Sequence, residues 1–224
     1  MLGMVEATHR DSAETIRSLL LNAQASPEVF RAALTSVSPI DRDAWLDLVF
    51  GLDAIPGDDP ELPRGCVPYL PCSVDALLQI AEHAGVHASD VFVDVGSGVG
   101  RAAALMHLVT GAAAIGLEIQ PVLVSASREL ATRLSTVRVS VVEGDAAHTT
   151  GLIMIGTVFF LYCPFSGDRV EKVLADLEPI AHSREIRICC VDLPLPPRPW
   201  LTLMSRPSAG VAIYRSTFLD PHRS

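Results

Sequence analysis

Lysine is all but missing from these 224 residues: of 17 basic side chains only Lys172 is a lysine, which reads as a bias of composition and not as a site. A basic stripe is missing too. Acids outnumber bases by 26 to 17, for a formal net charge of −9. Nucleic-acid binders need a cationic footprint to neutralise phosphates, so DNA or RNA is disfavoured as a partner. Long apolar runs are absent: the greasiest stretches, 102–117 and 151–163, fall short of a membrane span of roughly 18–20 residues. The opening MLGMVEATHRDSAE has no basic segment leading into an apolar one, so no export is expected and the cytoplasm is the expected location. The five cysteines are odd in number and form no C-x-x-C, which argues against a disulfide framework and against a zinc site. No G-K-[ST] occurs, so a phosphate-cradling P-loop is excluded. There is no internal repeat.

What remains is a chain with 49% hydrophobic and 19% charged residues, long enough for one well-filled core. Its charge is lopsided. Residues 1–62 hold 4 basic and 11 acidic side chains, whereas 63–224 hold 13 and 15. The first part reads as helical, and we expect a helical N-terminal cap over 1–62 and a second domain over 63–224. Residues 11–25 place Ile16, Leu19 and Leu20 on one face, and Ser26-Pro27 opens a second helix. Ser38-Pro39 repeats the signal before 40–52, where Ile40, Ala44, Leu48 and Leu52 recur at a spacing of four with Trp45 beside them. The acidic, proline-rich segment 55–71 is a loop, and Ser73 is an N-cap for a helix closed by Gly85.

From Asp90 strand and helix patterns alternate. Strands are expected at 91–95, 113–119, 137–142, 157–163 and 186–191, with helices at 99–109, 121–134 and 168–181 and a shorter piece in 145–155. Short apolar strands separated by helices build a parallel sheet covered on both faces. Two last strands, 200–205 and 211–219, read as a hairpin. The expected architecture is a doubly wound α/β sheet with a helical cap.

The strongest signal is VFVDVGSGVGR at 91–101. A buried strand ends in Asp94, and Gly96, Gly98 and Gly100 follow before a helix begins. Such a loop lets a ligand approach closer than a Cβ permits, although a plain glycine-rich turn has the same look. The dinucleotide fingerprint wants a small residue where Arg101 stands. An acid two residues before the first glycine repels a pyrophosphate and suits an amino group, so the pattern prefers a nucleoside without phosphates. Glu118 closes the second strand, where a carboxylate can accept both hydroxyls of a ribose. Asp145 follows the third strand and could receive an adenine amino group. Each acid alone is also an ordinary solvent-facing strand end.

These residues resemble the class I S-adenosylmethionine-dependent methyltransferases over roughly residues 66–219, through the glycine loop with Asp94, Gly116–Ile119 (GLEI) and Glu143–Ala146 (EGDA). The resemblance implies a Rossmann-like seven-strand sheet, mostly parallel with an antiparallel last strand, and S-adenosylmethionine as cofactor. It implies a cofactor site that includes Tyr69, in which Asp94, Gly96, Ser97, Gly98 and Gly100 hold the methionine part, Glu118 with Ile119 the ribose side, and Asp145 with Ala146 the adenine. Within that class the chain is similar to the seven-strand protein-lysine methyltransferases, which include the histone-lysine enzymes and the group acting on the ATP synthase c subunit. The shared marks are Tyr69-Leu70-Pro71, the D-x-G-S-G-x-G-R loop and Tyr162-Cys163-Pro164-Phe165. Cys72 departs from the Thr or Ser usual there, and the Cys-Pro-Phe turn lacks a polar residue.

For the methyl acceptor, Tyr162, Phe165 and Tyr69 could wall an aromatic channel for an amine, or Tyr162 and Phe165 could simply cap the core. His148 is a candidate base or an exposed turn residue. Arg101 binds a carboxylate near the site or makes a surface ion pair. Cys163 is taken as a packed strand-end thiol, and the proline-rich 192–200 as a rigid wall or a stiff connection. The acceptor is a protein or a small molecule, the latter enclosed under the N-terminal helices, and a non-catalytic binding module is the alternative to an enzyme. The acidic cap invites a basic protein or an amine.

Overall fold

The computed structural model describes residues 7–52, 54–134, 138–163, 167–208 and 210–217. Strands β1 (Val91–Val95), β2 (Ala113–Glu118), β3 (Val139–Glu143), β4 (Val158–Tyr162) and β5 (Arg187–Val191) lie parallel. Strands β6 (Leu201–Ser205) and β7 (Val211–Ser216) form the hairpin, with β7 antiparallel to both β5 and β6. The order across the sheet is β3-β2-β1-β4-β5-β7-β6. The chain runs outward from β1 to β3 and then returns to β4 on the other side of β1. Ligands of open α/β sheets bind outside the strand carboxyl ends at that reversal.

Alternate strand residues face opposite ways, and each face has its own core. Phe92, Phe160 and Cys189 point to the face covered by the N-terminal helices, α4 (Val74–His83) and α5 (Arg101–Thr110). Phe92 and Phe160 stack there with ring centroids 5.7 Å apart. Val93, Phe159, Leu161 and Ile188 point to the opposite face, under α8 (Asp168–Ser183). The expected seven-strand α/β sheet is present, its last strands antiparallel.

Local chemistry sets the helix starts. Ser26 Oγ accepts from Val29 N ahead of α2 (Pro27–Ser36), and Ser73 Oγ accepts from Ala76 N ahead of α4. Two expectations shift. The first helix, α1, spans Ala7–Leu21, not 11–25. Residues Pro39–Asp41 form a separate 3₁₀ turn, so α3 begins only at Arg42 and runs to Phe50. That resets its phase: Trp45, Leu46, Val49 and Phe50 are buried, whereas Ile40 is 88% exposed. Helix α5 likewise starts at Arg101 because Gly100 adopts φ 78°. Helix α6 spans Pro121–Arg133, and α7 is a short Ala146–Thr149.

Arginines tie the layers together at helix carboxyl ends, where carbonyls lack intrahelical donors. Arg31 donates to Val109 O at 2.6 Å, and Arg133 to Phe50 O and Gly51 O at 3.0 and 2.8 Å. Arg187 donates to Ala84 O at 2.6 Å and pairs with Asp90. The forked guanidinium explains why arginine, and not lysine, fills these positions. Among the described residues no helix is long and apolar enough to cross a membrane.

Candidate functional site

The loop after β1 folds against the end of β2. Gly96 N and Ser97 N both donate to Leu117 O, at 2.9 and 3.0 Å. Gly98 N donates to Glu118 Oε2 at 2.7 Å, and Glu118 Oε1 accepts from Ile119 N and Gln120 N at 2.8 and 2.9 Å. Burial pushes the Glu118 carboxyl up, and these three N–H groups oppose it. A carboxylate offers about four lone-pair sites, so Glu118 keeps capacity for a further donor. At Gly98, φ is 53° and a Cβ would stand 2.0 Å from the Tyr69 ring, so only glycine fits beneath that ring.

Under the loop lies Asp94, 3% exposed, with Oδ2 buried and unpartnered. Burial first, and the charge of Glu118 second, lift its carboxyl to about 7. Ser97 Oγ is buried without a partner as well. Two orphaned polar atoms at the end of β1 are an uncommon cost for a native fold, and they mark a place where a ligand's polar group belongs.

A cavity of about 360 Å³ opens at the carboxyl ends of the strands, within the size range of small-ligand sites. Its walls come from β2 at Glu118 and Ile119, from Asp145 and Ala146, and from Tyr162, Cys163 and Asp192. The segment between α3 and α4 closes it with Leu62, Cys66 and Val67–Leu70. That strap is pinned at two places. Asp58 Oδ1 accepts from Tyr69 N at 2.8 Å and from Gln120 Nε2 at 2.9 Å, and Asp59 N donates to Gln120 Oε1 at 2.8 Å. Arg169 of α8 donates Nε to Arg64 O at 2.8 Å and an NH1 hydrogen to Asp145 Oδ1 at 2.6 Å. Burial alone would raise the Asp145 carboxyl, but Arg169 and the Ala147 N–H hold it below the usual carboxylate range.

Of the residues singled out from the sequence, Tyr69, Gly96, Glu118, Ile119, Asp145, Ala146 and Tyr162 line this one cavity, and so does Cys163, a half-buried wall residue and not the packed thiol expected. Asp94, in β1, and Ser97, Gly98 and Gly100, in the loop after it, are not among the lining residues. Phe165 lies outside the described residues. His148 is exposed, with Nδ1 3.4 Å from Asp145 Oδ2 and no place in the wall. Arg101 is 2% exposed, which corrects the surface ion pair; the carboxylates it binds are those of α3, with donation to Asp47 Oδ1 at 2.6 Å, Asp43 Oδ1 at 2.9 Å and also Cys72 O at 2.8 Å. Sequence reasoning missed Asp58, Gln120 and Arg169. Only the chain fold brings them to the site, and a polar residue ahead of Pro121 was the sole local hint for Gln120.

A profile of the family described as histone methylation protein DOT1 matches residues 69–140, from the strap tyrosine into β3. The solved RNA methyltransferase from Salinibacter ruber, in complex with S-adenosyl-L-homocysteine, is 26% identical; the alignment covers 67% of this chain and 95% of that one, with a TM-score of 0.51. A methyltransferase of Podospora anserina, solved bound to S-adenosylhomocysteine, is 15% identical over 66% of this chain and 80% of its own, with a TM-score of 0.51, and shares the fold. Among curated proteins none matches the sequence.

Proposed function

We propose that this chain transfers the methyl group of S-adenosylmethionine to an amine, with a protein lysine as the acceptor. The observation that carries the reading is the buried carboxylate of Asp94, its Oδ2 without a partner, beneath a glycine loop and beside a cavity lined by Glu118 and Asp145. In this reading Asp94 and the loop amides take the cationic amino-acid end. Glu118 uses its remaining lone pair for a ribose hydroxyl. Asp145, set by Arg169, faces the adenine with Ala146 and Ile119. S-adenosylmethionine, when bound, supplies a methyl group on a positively charged sulfur, which is already a good electrophile. The protein therefore contributes chiefly position and exclusion of water. Tyr69 closes over the loop, and Tyr162 borders the path to the acceptor, its ring face favourable to an ammonium. The amine attacks only once neutral, so an acceptor that arrives as an ammonium gives its proton to solvent before transfer.

The match to the histone methylation family over 69–140 supports a lysine acceptor. A small acceptor held under the N-terminal helices fits less well, because the strap, and no described residue of α1–α3, closes the cavity. Calorimetric titration with S-adenosylmethionine and S-adenosylhomocysteine tests the proposal. Wild type should bind both, and Glu118→Ala should weaken both by about tenfold or more, the cost of losing one charged hydrogen-bond acceptor. Wild type that binds neither sinks the reading.

A further inference from the structure

Among the described residues the cavity wall contains three carboxylates and no arginine, lysine or histidine. Two of the three are engaged: Glu118 by three backbone N–H groups and Asp145 by Arg169 and Ala147 N. Asp192, just past β5, is exposed and makes no side-chain hydrogen bond or ion pair with any described residue, so its carboxylate is open to an incoming group. We propose that Asp192 is the acceptor anchor of this site, pairing with the ammonium of an alkylamine arm that enters past Tyr162. The proposal rests on the methyltransferase reading above and adds the residue that selects the acceptor.

Placement supports it. The parallel register pairs Tyr162 with Val191, so Cys163 and Asp192 are the next residues on adjacent strands. Both turn into left-handed backbone there, at φ 40° and 51°, which ends the ladder and leads both residues into the cavity wall. Backbone of this kind is held only where surrounding structure demands it. Here Asp192 N donates to Gly210 O at 2.8 Å, so the β6–β7 hairpin fixes the turn. A Cβ on Gly210 would lie 2.6 Å from Asp192 Oδ1, so the glycine makes room for the carboxylate. Behind it, Pro194, Pro196, Pro197 and Pro199 stiffen the connection, and Arg198 pairs with Glu171.

The sheet order places β5 three strands from β2, or about 14 Å at ordinary strand spacing, beyond the reach of a ribose held at Glu118. Asp192 thus faces the acceptor half. Tyr162 and Asp192 line the same cavity, and burial first raises the Tyr162 phenol, with the charge of Asp192 adding to it. Apolar Val67 and Leu70 on the opposing strap complete a passage suited to an alkyl stem ending in a cation.

Two ligands separate this from its rivals: the S-adenosylhomocysteine scaffold with nitrogen in place of sulfur, bearing either a 4-aminobutyl or a plain butyl arm. Each is titrated calorimetrically into wild type and Asp192→Asn, with S-adenosylhomocysteine as reference. Asparagine tolerates the left-handed backbone, so binding of the reference, within about twofold, reports an intact site. Wild type should prefer the aminobutyl ligand by about tenfold, and Asp192→Asn should lose that preference. Equal binding of the two arms by wild type, or a preference that survives in Asp192→Asn, overturns the proposal. Failure of wild type to bind S-adenosylhomocysteine instead removes the methyltransferase reading, and the anchor with it.

Discussion

The carboxyl of Asp94 stands at about 7 in the folded chain against an ordinary 3.8, with burial the first cause and the charge of Glu118 the second. An acid whose folded value is the higher one binds its proton more tightly in the folded state. Stability is therefore fully kept below about pH 4, falls as pH rises toward 7, and is flat above, with ionised Asp94 a standing cost. A ligand ammonium reverses the preference, since it favours the carboxylate. Affinity for S-adenosylhomocysteine should thus rise with pH from 5.5 to 7.5, by up to about tenfold per unit below the Asp94 value, and level off above. Titrations in buffers of different ionisation enthalpy should detect a proton released on binding near pH 6. Asp94→Asn should flatten the profile and release none. A wild-type affinity that falls with pH across this range would show that Asp94 does not meet the ligand cation.

At the scale of elements, the strap and α8 meet through one side chain. Arg169 holds the Arg64 carbonyl with one nitrogen and Asp145 with another, so strap closure and the setting of the adenine-side acid share a guanidinium. Arg169→Ala should loosen both together. Hydrogen exchange across residues 58–70 should quicken by about tenfold or more, as expected when a latch of about 1–2 kcal/mol is lost, while exchange in β1 and β4 stays put. Unchanged exchange in the strap would mean that the Asp58–Gln120 pin suffices. Much of this was legible beforehand, and the limits follow from distance along the chain. The β-strands, Asp94, the glycine loop, Glu118 and Asp145 announce themselves because their pattern is local: apolar runs of five, then a turn residue. The strap reads locally only as a loop, because its partners lie 62 and 105 residues away. Ile40 was misplaced for a related reason. Its spacing of four fits a helix, but Pro39 starts a 3₁₀ turn, and the face of α3 that is buried is the one bearing Trp45 and Phe50.

Over the whole molecule, the acidic N-terminal part is less a separate body than its composition suggests. Its acids partly serve inside: Asp43 and Asp47 receive Arg101 from the start of α5, and Asp58 receives Gln120 and Tyr69. Its apolar residues share one core with the sheet, where Phe30, Leu34, Trp45 and Phe50 cluster with Leu105, Phe92 and Phe160. The surplus of negative charge therefore overstates what is offered to a basic partner. Arg101 links the two parts, since it opens α5 after the glycine loop and its buried guanidinium is held by the acids of α3. Removing it leaves Asp47 half-buried without its cation, and burial already pushes that carboxyl up. Losing hydrogen bonds to charged groups that can still reach water typically costs about 1.5–3 kcal/mol. Wild type should unfold in a single calorimetric transition, because the N-terminal helices share their core with one face of the sheet. Arg101→Ala should lower the unfolding free energy by about that amount in urea, and Arg101→Lys should restore little, since an ammonium cannot serve Asp43, Asp47 and the Cys72 carbonyl at once. Two resolved transitions in wild type would instead make the helices a cap that folds independently.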